Sequence, residues 1–158
     1  MIRPLALLVT LVAGPATAQC DGFANTPVAS FTEVNGRSGS FVMVFGRFSD
    51  GALLGEVYAL AADGSATTNR VVEGHFEGMR ATAQGFVDPL DSDVRIVQRC
   101  TADACHPRLD GTRYLAFFER VGGRLEFSED GCGLRAYAEP TPEVLESMVR
   151  CMAGGACE

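Results

Sequence analysis

Apolar residues come in short runs along most of the chain, in patterns that favour strands. Residues 41–45 (Phe-Val-Met-Val-Phe) are continuously apolar and run into Gly46, Arg47 and Phe48. Their β-branched and aromatic content predicts a strand buried on both faces rather than a short helix, with Asp50-Gly51 turning the chain after it. Residues 53–60 fit strand or helix by pattern alone. Asp63-Gly64, followed by Thr67, Thr68, Val71 and Val72, predicts a hairpin there. Gly74, Gly78 and Gly85 break up the next stretch, where Phe76, Met79 and Phe86 supply apolar contacts. Residues 94–98 alternate as a further strand that delivers Cys100 at its end. The clearest hairpin joins residues 114–118 to residues 125–127 through Gly122-Gly123, because paired glycines supply the positive φ of a tight turn.

Residues 141–151 differ in kind. Thr141 suits a helix cap, Pro142 the first helical position and Glu143 the positive end of the dipole. Val144, Leu145, Met148 and Val149 then share one helical face. Residues 19–37 are polar and turn-rich (Asp21-Gly22, Asn25, Pro27, Asn35-Gly36) and read as an arm tied down by Cys20. Strands followed by one helix predict a mostly antiparallel β-barrel or sandwich with a helical lid.

The N-terminus alters where this fold is expected to reside. Arg3, an apolar run over residues 5–13 and Ala16-Thr17-Ala18 follow the order of a secretory signal, with cleavage expected after Ala18. The apolar run is about half of what spans a bilayer. The remaining residues 19–158 form one expected domain, secreted or periplasmic.

Composition narrows the function. Of 158 residues, 47% are apolar and 21% charged, which excludes a disordered chain. The charged residues are 13 Arg and 20 acids, a net charge of −7, so nucleic acid is not an expected partner. With no Lys, a Schiff-base amine is also excluded. All six cysteines, Cys20, Cys100, Cys105, Cys132, Cys151 and Cys157, fall in the exported part, and an even number in an oxidising compartment predicts three disulfides.

Candidate chemistry is sparse. Cys105-His106 lacks a second ligand pair at zinc spacing, and Asp88, Asp91 and Asp93 crowd a stretch expected to be a loop without the Gly and Glu of a calcium site. Only His75 and His106 are available as bases; residues 36–40 stop short of a nucleophile elbow, and Glu129-Asp130 reads as solvated charge. Cys100 and Cys105 are the one candidate redox pair. Tyr58, Tyr114, Tyr137 or an exposed Phe are candidate platforms for a sugar or peptide.

In the C-terminal half, Cys105, Gly111, residues 114–118 (Tyr-Leu-Ala-Phe-Phe), the Gly-Gly hairpin, Cys132 and the helix ending near Cys151 resemble the second half of netrin-like domains, the fold of the tissue inhibitors of metalloproteinases. The resemblance covers residues 94–157, and residues 41–48 resemble the family's first strand. It implies a five-stranded OB-type barrel with helix packing. Inhibitory members begin with a free Cys in a Cys-x-Cys pair that chelates a protease zinc; here Gln19 precedes Cys20 and Asp21-Gly22 replaces the second Cys, so that mechanism is not expected.

Cys151 and Cys157 are near enough in sequence to bond locally, which leaves Cys20 to reach Cys105 or Cys100 and Cys132 to take the other. The Cys20 link closes a long loop, worth on the order of 4 kcal/mol. The expectation is therefore an exported, disulfide-stapled, non-enzymatic binding module without cofactor, metal or catalytic residues. Its expected partner is a protein, peptide or glycan of the envelope. The alternatives are a small hydrolytic or thiol-redox enzyme using His75 or Cys100/Cys105, or a loop-mediated protease inhibitor.

Overall fold

The computed structural model describes residues 25–60, 66–100, 105–106, 109, 111–128 and 136–157. Residues 1–18, expected to be a secretory signal, together with Cys20, Asp63-Gly64, Glu129-Asp130 and Cys132 lie outside these residues, as does the side chain of Cys105. In chain order the elements are α1 (Pro27–Gly36), β1 (Phe41–Leu60), β2 (Ala66–Thr82), β3 (Gly85–Cys100), β4 (Cys105–His106), β5 (Arg113–Val121), β6 (Arg124–Ser128), β7 (Ala136–Ala138) and α2 (Pro142–Met152). The protein is mostly β, with the amphipathic helix at its C-terminal end and a disulfide joining Cys151 to Cys157. Cys100 is disulfide-bonded as well.

Three expectations are corrected. Part of the predicted arm is a helix, α1, started by the Thr26 hydroxyl accepting from the Ala29 N–H at 3.2 Å and by Pro27 in the first turn. Asn35-Gly36 marks the end of that helix rather than a coil. Second, β1 does not reverse at Asp50-Gly51; it runs on to Leu60, and these two residues occupy a register shift between the pairs Ser49–His75 and Ala52–Glu73. A Cβ at Gly51 would collide with the Glu73 carbonyl, so glycine is needed there for close approach of the backbones. Third, Gly74 and Gly78 do not interrupt β2. Gly78 faces Gly46 across the β1–β2 ladder, and a Cβ on either would fall 2.6 Å from the other's Cα.

β1 pairs antiparallel with β2, β2 with β3, and β5 with both β6 and β7; residues 41–47 of β1 also pair antiparallel with β5. β3 and β6 pair in parallel, residues 94–97 against residues 125–128. The pairings therefore run β1, β2, β3, β6, β5 and back to β1. The two-residue β4 adds to β3, with Cys100 opposite Cys105. The β5–β6 hairpin is the predicted one, with Gly122 and Gly123 at φ 58° and 85°.

Strand alternation divides the apolar side chains into two clusters. One face of all five ring strands buries Val44, Phe48, Phe76, Val94, Ile96, Tyr114, Ala116, Phe118, Leu125 and Phe127. Phe48 lies at its centre, with the rings of Phe76, Tyr114, Phe118 and Phe127 all within 5.9 Å of it, centroid to centroid. The opposite face of β1 and β5 presents Met43, Leu115 and Phe117 to Val34 of α1 and Met148 of α2. The two helices cover the outer face of β1 and β5 and reach Ala81 and Phe86 where β2 turns into β3, and leave the outer face of β2 and β3 around residues 73–77 and 91–95 open.

Candidate functional site

Because Phe76 points into the core, its neighbours on β2 point out. Glu73, His75 and Glu77 therefore share the open face with Asp91, Asp93 and Arg95 of β3. Register sets them in rungs: Arg47, Glu77 and Asp91 on one, Ser49, His75 and Asp93 on the next, and Glu73 beside Arg95 after that. Two carboxylates placed directly opposite, as Glu77 and Asp91 are, repel one another. The His75 ring stands where it relieves this: Nδ1 is 3.0 Å from Asp93 Oδ1 and Nε2 is 3.0 Å from Asp91 Oδ1. Only the imidazolium carries hydrogens on both nitrogens, so the charged form alone makes both bonds. The hydrogen bond to Asp93, with the charges of Asp91, Asp93 and Glu77, raises the pKa of His75 above its ordinary value against a smaller desolvation effect. At the edge of the same face Arg95 reaches Glu126 at 3.6 Å and Arg124 reaches Glu73 at 3.9 Å. A shallow hollow of 180 Å³ lies among Glu73, Asp93, Arg95, Arg124 and Leu125.

Ser49, His75 and Asp93 are the residue types of a nucleophile, base and orienting acid, side by side on adjacent strands. Their contacts are not those of a triad. The Ser49 hydroxyl points to the His75 backbone carbonyl at 3.5 Å, and the ring nitrogen that would take its proton is bonded to Asp91. The three side chains form an ionic ladder, with His75 44% exposed and Asp91 and Asp93 more open still. Among the described residues, no group of three or more His, Cys, Asp or Glu is arranged to hold a metal ion.

Other residues singled out in the sequence are dispersed. Asp88, expected in a loop with Asp91 and Asp93, lies with them on β3 and pairs with Arg80 at 2.8 Å. Tyr114 is in the core, which removes it as a platform. Tyr137 is half-buried: its hydroxyl donates to the Thr26 carbonyl at 2.8 Å and so accepts from Ser30 Oγ at 2.7 Å. Tyr58 alone of these is open, at 76% exposure, near the far end of the β1–β2 hairpin with Leu53 and Leu54. No Phe among the described residues is strongly exposed. Cys100, bonded in a disulfide, is not a free thiol.

The structure brings together what the sequence considered apart, His75 and the aspartates; the available signal was the alternation of 73, 75, 77 against 91, 93, 95. A second hollow, of 440 Å³, lies between α1 and α2 beside Pro27, Val28, Val144 and Met148. No family model, curated protein or solved structure matches the chain. No helix among the described residues is long and apolar enough to cross a membrane.

Proposed function

We propose that the chain is an exported, disulfide-stapled binding module built on an OB-type, netrin-like barrel, and that it takes its ligand on the open face of β2 and β3. The circular order of pairings, with one parallel contact between β3 and β6, supports a five-stranded closed sheet. Faces formed by the second and third strands are where such barrels commonly bind. The observation that carries the reading is the filled interior. Phe48, Phe76, Phe118 and Phe127 occupy the enclosed space, so a ligand is received outside.

On that outside face the carboxylates of Glu73, Glu77, Asp91 and Asp93 outnumber the guanidinium groups of Arg47, Arg95 and Arg124, an excess that suits a cationic segment of a protein or peptide rather than nucleic acid. The contacts of His75, whose nitrogens are held by carboxylates rather than poised on a nucleophile, support a binding role over a hydrolytic one at this face. The test is a titration of isotope-labelled protein with an Arg-rich peptide and, separately, with a Glu-rich one. Amide shifts confined to residues 73–77 and 91–95, produced by the Arg-rich peptide only and weakened by salt, are expected. Shifts spread evenly over the molecule, or none, contradict the reading. A hydrolytic activity lost in His75→Ala would favour the enzyme instead.

A further inference from the structure

The ion pairs of the open face differ in whether their cation can lose its charge. Arg124 reaches Glu73 and Arg95 reaches Glu126, and a guanidinium stays charged at any ordinary pH. Asp91 and Asp93 are held instead by the single ring of His75, 3.0 Å from each. Around that ring β2 contributes Glu73 and Glu77, and β3 contributes Asp91, Asp93 and Arg95. β1 contributes Arg47 and Ser49, with Asp50 following in the register shift. A protonated ring donates from both nitrogens and occupies both aspartates. A neutral ring keeps one hydrogen, and its bare nitrogen then faces a carboxylate oxygen as one lone pair faces another, so an aspartate loses its partner. The side chains of Asp91 and Asp93 are 77% and 73% exposed, which leaves a released carboxylate open to a donor from outside. Asp93 also borders the 180 Å³ hollow that Leu125 floors beside Glu73, Arg95 and Arg124.

We infer that His75 is an internal occupant of the binding face, and that loss of its proton opens Asp91 and Asp93 to the cationic segment of the ligand. This regulation rests on the reading of that face as the binding surface. The proton on His75 and a guanidinium of the ligand compete for the same carboxylate oxygens, so each weakens the other by the same factor. Affinity is therefore low where the ring is charged and rises as pH rises through its folded pKa. The hydrogen bond to Asp93, with the charges of Asp91, Asp93 and Glu77, lifts that pKa above the ordinary value, which moves the opening of the face to higher pH than an isolated imidazole would set.

The experiment is calorimetric titration of the purified full chain with an Arg-rich peptide at about pH 5.5 and about pH 8.5, on either side of the imidazole range. The His75 ring is followed by nuclear magnetic resonance over the same interval. The peptide keeps its guanidinium charges throughout, so a difference in affinity belongs to the protein. The wild type is expected to bind at least roughly fivefold more tightly at the higher pH, and bound peptide to lower the pH at which the His75 ring titrates. His75→Gln, uncharged at both values, should bind equally at both, close to the wild type at the higher pH. His75→Arg, charged at both, should bind weakly at both. The position is 44% exposed, and an unchanged circular dichroism spectrum verifies that each variant retains the fold. His106→Gln should keep the pH dependence of the wild type. Equal wild-type affinity at the two pH values overturns the inference and leaves the binding face standing. A pH dependence that survives in His75→Gln also overturns it, because another group then carries the effect. Absence of binding by the wild type and every variant at both pH values overturns the reading of the face, and this inference with it.

Discussion

Gly46 and Gly78 meet across β1 and β2 where the two backbones come closest, and a methyl group on either has no room, being also within 2.9 Å of the Phe76 ring. Gly46→Ala is accordingly expected to destabilise by about 1–3 kcal/mol or more, measured by urea unfolding, whereas Gly36→Ala, with open space at its Cβ position, should change little. His75 makes a prediction with a definite sign. Its folded pKa lies above its unfolded one, chiefly through the hydrogen bond to Asp93. The stability this contributes is therefore complete below the unfolded pKa, near 6.5, and is lost as pH rises through the raised folded pKa. Melting temperature should fall over that interval in the wild type and should not do so in His75→Gln. The partners of His75 were hidden in the sequence by one residue. Counted from the Thr82–Gly85 pair, His75 would stand opposite Ser92; a register shift at Arg80/Ala81, which leaves Val87 unpaired, moves it to Asp93. No pattern of residue types announces a bulge of that kind, because its cause is the fit of two long strands to a curved sheet.

The two helices show how far local signals carry at the level of elements. α2 is legible because its apolar positions form a stripe, and Met148, fully buried on that stripe, packs beside Leu115 and Phe117. Met148→Ala should cost about 2–5 kcal/mol by leaving a cavity, read from the denaturation midpoint. Even here the cap differs from expectation: the Thr141 carbonyl accepts from the Leu145 N–H at 3.1 Å, but its side chain makes no bond to the helix backbone, and its hydroxyl goes to the Glu143 carboxylate, which that bond and the residue's own N–H hold below the usual range. α1 begins with the same Thr-Pro signal but has no comparable apolar stripe, so its turn-forming residues dominated the reading. What fixes it is tertiary. Ser30, 1% exposed, and the Thr26 carbonyl are both bonded to Tyr137 of β7. Tyr137→Phe removes the shared hydroxyl and with it the bonds to Ser30 and to the Thr26 carbonyl, and should lower stability by about 1–3 kcal/mol, with increased amide exchange confined to α1 as the specific readout. The β5–β6 hairpin was legible for the opposite reason, since Gly122-Gly123 states the turn locally.

At the scale of the molecule, hairpins are written in the sequence and closure is not. Antiparallel neighbours β1–β2, β2–β3 and β5–β6 follow from turns between them, whereas the β1–β5 and β3–β6 contacts join segments distant along the chain. Those two contacts make the circle and place Phe118 and Phe127 against Phe48. The local disulfide Cys151–Cys157 was predictable from spacing and holds the end of α2. Replacing both cysteines with Ser is expected to lower stability by about 2 kcal/mol through the short loop it closes, as a shift in melting temperature under non-reducing conditions. The proposed binding face and the filled interior both depend on the circle being complete. The most direct measurement is a nuclear Overhauser spectrum of the labelled protein. Contacts between Val44 and Ala116 together with contacts between Ile96 and Phe127 are predicted, both from the same folded species. Strong Val44–Ala116 contacts without any between Ile96 and Phe127 would mean an open sheet, and would contradict the barrel on which the proposed binding face rests.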